Sequence, residues 1–479
     1  MRPHIILRYN GLVLLFNAVF MLIAFCISLH FNDSGAFPLL LSTIITILIG
    51  IFPIVFVPKT FDISNKEAYL IVVSSWLLSC LFGMLPFLLY GKEFSVINAW
   101  FESVSGYTTT GSTILTDVES LPKGLMFWRS STHWLGGIGV VLFVLIVIPT
   151  LGKAKMALSR VELSAIAKDN FHNKTRNILY IILYVYLGLT LLQTILLYVF
   201  GMSLFDAVNH SFATIATGGF STKNTSIAHY NSIAIETIIT VFMFFAGIHF
   251  GMLFNTITFK KRNCFNSQIV RYYTFSIIVV AVLISIDLLG KVYTNWGESF
   301  RHSIFQVVSL ATTTGFATTD TTIWPTLSII LLILISFQCA CSGSTGGGIK
   351  ADRVFVFIKM LRRQTIQLQH PQAVVPVKIN NHIVDDDILG SILLFIVFYI
   401  VIVVVSTVFL AIFGQDLMTA FSASLASVSN IGPGFGQVGS MANYFEIDGA
   451  SKLVLSIGML LGRLEIYGLL LLFMFHSWK

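Results

Sequence analysis

Apolar runs long enough to cross a bilayer alternate along the chain with short segments of mixed polarity, which predicts an all-α integral membrane protein. Residues 11–30 and 38–57 are two such runs, joined by a polar turn with Asn32, Asp33 and Gly35. From Glu67 onward one unit recurs: a long apolar helix, a short amphipathic segment, a glycine-bearing loop and a second long helix. The long helices are expected at 68–90 and 125–149, 177–200 and 232–259, 272–290 and 325–341, 388–413 and 451–475. The short segments run from Asn98 to Tyr107, Asp206 to Ile215, His302 to Ala311 and Thr419 to Val428. This pattern divides the chain into two N-terminal helices at 1–66 and four repeats at 67–152, 153–259, 260–350 and 351–479. It implies ten full spans and four half-spans.

Each short segment leads into a loop: Thr108-Thr109-Thr110-Gly111, Ala216-Thr217-Gly218-Gly219-Phe220, Thr312-Thr313-Thr314-Gly315-Phe316 and Ser429-Asn430-Ile431-Gly432. Non-helical backbone is tolerated at membrane depth only where protein buries it or water reaches it, so the four loops are expected to converge on one cavity. A dehydrated monovalent cation needs oxygen dipoles in place of its water shell. Backbone carbonyls supply them, and glycine permits the positive φ that lets successive carbonyls face one way. The expected filter residues are therefore Thr109, Thr110, Gly111, Thr217, Gly218, Gly219, Thr313, Thr314, Gly315, Asn430, Ile431 and Gly432. The short half-helices end at the filter, and their C-terminal carbonyl dipoles favour a cation below it. The four loops are unequal: Gly218 and Ile431 lack the hydroxyl of Thr110 and Thr314, and Pro433 stiffens the fourth.

Composition agrees: 56% of residues are hydrophobic and 11% charged, too apolar for a solvated globular surface. The net charge of +7 reports basic loops on one membrane face more than an anionic partner. Of 29 Lys and Arg, 21 fall at 1–10, 59–66, 153–176, 260–271, 350–378 and Lys479. Seven fall on the other side: Lys92, Lys123, Arg129, Lys223, Lys291, Arg301 and Lys452. This bias places the N-terminus in the cytoplasm and the glycine loops toward the outside. The first apolar run is too long for a signal peptide and reads as a retained span. Cys26, Cys80, Cys264, Cys339 and Cys341 are odd in number and scattered, with no disulfide framework or metal set.

Two features interrupt the helical pattern. Ser342-Gly343-Ser344-Thr345-Gly346-Gly347-Gly348, followed by Ile349 and Lys350, is too glycine-rich to stay helical and too polar to face lipid. Arg463 lies within the last span, about 18 Å along the helix from Ser451 and beyond snorkelling reach, so it should face the bundle interior. Glu465, two residues on, points to another face. Other motifs carry less. Gly434-Phe-Gly436-Gln-Val-Gly439 fits a dinucleotide fingerprint but follows a half-helix and not a strand. Asp385-Asp386-Asp387 reads as a solvated helix cap, and His133, His249 and His302 as interior hydrogen-bonding residues. No reactive constellation of an enzyme is evident.

On Thr108–Gly111, Thr217–Phe220, Thr312–Phe316, Asn430–Gly434, Gly343–Lys350 and Gly462–Ile466, the chain resembles the Trk/Ktr/HKT potassium transporter superfamily. The N-terminal helix pair makes it most similar to the TrkH and TrkG type. The resemblance covers essentially the whole chain and implies four membrane–pore–membrane repeats in one polypeptide. It implies K⁺ uptake across the cytoplasmic membrane through a gated, channel-like pore, with a K⁺ ion in the pore and no cofactor bound covalently. Glycine in all four filters is associated there with K⁺, and serine in the first with Na⁺. The same resemblance implies a gate: Gly343, Gly346, Gly347, Gly348 and Lys350 in an intramembrane loop below the filter, and Arg463 as a positive charge in the pore. It further implies a homodimer in membrane lipid and a cytosolic TrkA-type subunit that binds the regulatory nucleotide. The alternative is a secondary transporter coupling K⁺ or Na⁺ to H⁺ or Na⁺; its relay candidates are Glu102, Asp206, Asp287 and Glu465.

Overall fold

The computed structural model describes residues 2–58, 64–147, 171–259, 263–380 and 382–464. The expected connection at 153–176 lies outside them up to residue 170, as do 59–63, Lys260, Lys261, Arg262, Glu465 and Lys479. Helices Pro3–His30 and Ala36–Phe56 form the N-terminal hairpin. Their closest approach uses glycine: a Cβ on Gly11 would lie 2.5 Å from the Gly50 carbonyl oxygen. The first helix is fastened to helix Asn65–Gly83 by side-chain amides, the usual adhesive where lipid removes the hydrophobic drive between helices. Asn10 donates to Ser74 at 2.8 Å and accepts from Ser75 at 2.8 Å, and Asn17 donates to Ser79 at 2.9 Å.

Among the described residues, 6 helices are long and apolar enough to cross a membrane, or 7 if a bent pair counts as one span. Ten were expected, and the differences have local causes. The run at 232–259 is broken into Ile233–Ala246 and Phe250–Ile257, which meet at 107° around Gly247-Ile248-His249. The run at 68–90 remains one span, Lys66–Tyr90, although its helix steps at Met84, where Pro86 starts a separate turn, Leu85–Tyr90. The expected helix 325–341 ends at Gln338, because Cys339 turns into a positive φ of 51°. The final helix is described over Gly449–Arg463; the remainder of 451–475 lies outside the described residues. Arg129 and Lys452, assigned to the outer side, are buried inside the protein at 2% and 4% exposure.

The four short segments are helices: Val96–Tyr107, Leu204–Ile215, Trp296–Ala311 and Leu417–Ser429. Each is started by a side-chain cap that accepts an orphan N–H: Ser95, Ser203, Asn295 and Asp416. Their inner turns are buried throughout, while the long helices keep Leu, Ile, Val and Phe exposed on their outer faces, as lipid requires. The described helices thus surround a polar, protein-lined centre.

We expect Gly11→Val to push the N-terminal hairpin apart and destabilise the protein by about 1–3 kcal/mol, the usual range for overpacking. A lowered unfolding midpoint in detergent checks it; an unchanged midpoint would mean the Gly11–Gly50 approach contributes nothing.

Candidate functional site

All four short helices end in the same backbone closure. Thr109, Thr217, Thr313 and Asn430 adopt φ of 52°, 54°, 60° and 57°. The next residue then donates its N–H five residues back: Thr110 to Ser105 at 2.9 Å, Gly218 to Ala213 at 2.7 Å, Thr314 to Ser309 at 2.8 Å, and Ile431 to Ala426 at 2.8 Å. This closure satisfies the last helix carbonyls and is usually built on glycine. Asparagine tolerates the left-handed conformation, but a threonine there is strained by roughly 1–2 kcal/mol. Such strain at three equivalent positions is the kind that gathers at functional sites. Two residues on, Gly111, Gly219, Gly315 and Gly432 take φ of 87°, 81°, 79° and 101°.

These glycines bring the four loops together in a closed ring. A Cβ on Gly111 would lie 2.2 Å from the carbonyl oxygen of Gly218; on Gly219, 2.0 Å from that of Thr314; on Gly315, 2.1 Å from that of Ile431; on Gly432, 2.4 Å from that of Thr110. Each glycine therefore admits the main chain of the next loop, and the fourth loop returns to the first. All of the twelve sequence-selected residues lie in this ring. In the first and third loops a hydroxyl pair stiffens the turn: Thr108 with Thr110 and Thr312 with Thr314, both at 2.8 Å. Ala216 and Gly218, and Ser429 and Ile431, stand at those places in the other two.

Further bonds join neighbouring loops outside the ring. Ser112 and Tyr444 hydroxyls both donate to Gly432 O, at 3.1 and 2.8 Å. Ile227 N–H donates to Ala317 O at 3.1 Å, and Ser440 joins Thr321 N–H and Thr319 O at 3.0 and 3.2 Å. His133 links the first two loops: Nδ1–H donates to Gly106 O at 2.7 Å and Nε2 accepts from Phe220 N–H at 3.2 Å, its ring stacked on Phe220 at 4.0 Å. That ring explains Gly218, whose Cβ would lie 2.4 Å from it. At the rim, the Asn224 amide donates to Asp117 at 2.8 Å and holds that carboxyl below its ordinary value.

Directly against the ring lies the glycine-rich segment. Cys339–Lys350 is a buried loop whose ends meet where Ala351 N–H donates to Ala340 O at 3.0 Å. It is docked on the bend at Gly247: Cys341 N–H donates to Gly247 O at 2.9 Å and Phe250 N–H to Gly343 O at 3.3 Å. On the ring side, Gly347 N–H donates to Thr313 Oγ1 at 3.3 Å, and Thr217 Oγ1 donates to Thr345 Oγ1 at 3.2 Å. Gly346 also faces Thr313: a Cβ would lie 3.2 Å from its Oγ1 and 2.8 Å from Ala340 Cβ. Gly348 packs on Cys339, and Lys350 is buried at 4% exposure beside the next helix start. Arg463 reaches the same loop from the last helix, donating from Nη1 to Thr345 O at 2.5 Å and from Nη2 to Gly136 O at 3.4 Å. Its Nε has no hydrogen-bond partner among the described residues.

The relay candidates are dispersed and locally engaged. Glu102 is bound to Arg129 at 2.6 Å, Asp206 accepts from Ser203 and Thr222, and Asp287 pairs with Lys291 and Ser328. Glu465 lies outside the described residues. Sequence reasoning missed Arg129 and Thr345 as site residues, since what distinguishes them is a partner far away in the chain.

The family model described as TrkH, cation transport protein, matches residues 39–478. The Trk system potassium uptake protein TrkH of Halomonas elongata is 34% identical over 489 residues, covering 100% of both chains. That of Escherichia coli K12 is 34% identical over 427 residues, 87% of each. The fold is also similar to the crystal structure of the potassium transporter TrkH from Vibrio parahaemolyticus, at 30% identity and TM-score 0.91 with both chains fully covered.

Two glycines with similar backbone test the ring. Gly219→Ala, at φ 81° and 2.0 Å from Thr314 O, should destabilise the protein well beyond the roughly 1–2 kcal/mol of left-handed strain alone. Gly290→Ala, at φ 76° in open space, should lose only that strain, measured by thermal unfolding in detergent. Equal losses would contradict close nesting of the loops.

Proposed function

The chain belongs to the TrkH family of cation transport proteins, and from that premise we propose that it takes up K⁺ across the cytoplasmic membrane through a gated, channel-like pore. Its activity is transport and not enzymatic. The observation that carries the reading is the closed nesting of Gly111 on loop two, Gly219 on loop three, Gly315 on loop four and Gly432 on loop one. Four turns of alternating backbone hand around one axis suit main-chain oxygens to a bare alkali ion. In this reading Thr109 to Gly111, Thr217 to Gly219, Thr313 to Gly315 and Asn430 to Gly432 form the filter, with K⁺ as cargo. The relatives' names support K⁺ as that ion, since those proteins are called potassium uptake proteins.

The gate in this reading is the buried loop with Gly343, Gly346, Gly347, Gly348 and Lys350, held by Arg463 through Thr345 O. Sites of contact with Thr217 and Thr313 support it, because the loop occupies the space against the ring that a passing ion would need. The helix-and-loop recurrence supports the four-repeat division at 67–152, 153–259, 260–350 and 351–479. The excess of basic loops supports a cytoplasmic N-terminus and glycine loops facing outward. The relatives' designation as a Trk system supports a multi-component assembly, which we extend to a homodimer and a cytosolic TrkA-type nucleotide-binding subunit. Basic Lys359, Arg362 and Arg363 on helix Ala351–Gln369 offer that subunit a surface. Coupled symport is the weaker reading, since Glu102, Asp206 and Asp287 are each engaged locally.

Purified protein in proteoliposomes should take up ⁸⁶Rb⁺ without a pH gradient and admit ²²Na⁺ far more slowly. Uptake that appears only with an imposed H⁺ or Na⁺ gradient would favour symport and overturn the channel-like reading. Arg463→Gln should raise ⁸⁶Rb⁺ flux in the absence of any partner subunit; unchanged or lost flux in well-folded protein argues against its gating role. Gly111→Ser should move the preference toward Na⁺ in the same assay, and an unaltered preference would remove Gly111 from the filter.

A further inference from the structure

A single buried charge pair is wired to three of the four loops. Glu102 and Arg129 are 0% and 2% exposed, and Arg129 Nε donates to Glu102 Oε1 at 2.6 Å. The carboxylate also accepts from the Thr113 hydroxyl at 2.9 Å and the Ile114 N–H at 2.9 Å, both just beyond Gly111 in the first loop. The guanidinium donates from Nη1 to Ser221 O at 3.1 Å and lies 3.5 Å over the Phe220 ring, both in the second loop. The fourth loop is reached through Thr113, whose carbonyl accepts from Tyr444 N–H at 2.8 Å, while the Tyr444 hydroxyl donates to Gly432 O.

Among the described residues, the bonds that join the remaining loops directly are neutral. Loops two and three meet through Ser226, Ile227 and Ala317, and loops three and four through Thr319, Thr321 and Ser440. Aligned on the ring glycines, the place of Glu102 is taken in the other short helices by His210, Gln306 and Ala423. His210 makes a neutral bond to Ser221 at 3.0 Å and Gln306 a long one to Thr319 O at 3.4 Å. An alanine side chain makes none. Burying two ions away from water is unfavourable and rarely improves stability over apolar packing, while removing one partner leaves a stranded charge. What such a pair provides is fixed geometry, and here it is applied where three loops meet. A ring that prefers the larger of two alkali ions must resist shrinking around the smaller one.

We propose that Glu102 and Arg129 are positioning residues that limit how far the first, second and fourth loops close on a small cation, and so set the ratio of K⁺ to Na⁺ passage. The inference rests on the reading of the ring as a cation filter. Glu102→Gln keeps the shape and removes the charge; Arg129→Lys keeps the charge but loses the fork that reaches Ser221 and stacks on Phe220. The full-length variants are reconstituted and initial rates of ⁸⁶Rb⁺ and ²²Na⁺ uptake are compared. The ⁸⁶Rb⁺/²²Na⁺ ratio of Glu102→Gln should fall by about tenfold through faster ²²Na⁺ entry, and that of Arg129→Lys should fall in the same direction. Thr113→Val, which removes the hydroxyl that bonds Glu102 and accepts from Leu115 N–H, should give a smaller fall and serves if neither charge variant folds. An unchanged ratio in the folded variants, or equal loss of both fluxes, overturns the proposal and leaves the pair as a structural brace. Wild-type vesicles that take up neither ion would instead overturn the uptake reading on which it rests.

Discussion

Backbone that leaves the helix inside a bilayer has to find its hydrogen-bond partners within the protein, because lipid offers none. The centre of this structure is organised by that requirement. Each short helix resolves it at its own end, folding the last N–H groups back onto its final turn through a left-handed residue. The bend at Gly247 and the buried loop resolve it jointly: Cys341 donates to Gly247 O, and Phe250 donates to Gly343 O. Two irregularities more than ninety residues apart in the chain thus satisfy each other, and neither would be tenable alone.

How much of this was legible in the sequence follows from the range of each interaction. The apolar runs, the four short amphipathic helices and the ring glycines are local signals, and Val96–Tyr107 or Leu417–Ser429 lie within a few residues of their expected limits. The left-handed turn at Thr109, Thr217 and Thr313 was not legible, because a β-branched residue argues against that conformation and only the surrounding closure enforces it. Arg129 looked like a loop charge since it stands near the start of a span; its meaning depends on Glu102, 27 residues earlier on another helix. The break at Gly247 was hidden in an unbroken apolar run, since Gly-Ile-His carries no strong stop signal by itself.

The buried loop meets the four loops of the ring unequally, and it packs Gly347 on the fourth, where a Cβ would lie 2.5 Å from Asn430 Oδ1. It bonds to Thr217 and Thr313, while Thr109 Oγ1 and Asn430 Oδ1, at the equivalent places, have no hydrogen-bond partner among the described residues. Arg463 joins this arrangement through a main-chain oxygen of Thr345, the residue whose hydroxyl also donates to Ile215 O at 3.1 Å. Thr345 therefore ties one cation, one helix end and one ring threonine to a single point. Any displacement of the loop must break all three contacts together, which favours two discrete positions over a gradual slide.

The hydroxyl pairs of the first and third loops carry a consequence for symmetry. Those loops stand across the ring from each other, and each is locked by Thr108 with Thr110 or Thr312 with Thr314, while the loops between them have no such lock. The ring is thus braced differently along its two diagonals: by hydroxyl pairs within loops one and three, and by Arg129 on loop two and Tyr444 on loop four across the other. A particle seated at its centre meets a different kind of bracing along perpendicular directions, an anisotropy that four identical subunits related by rotation cannot produce.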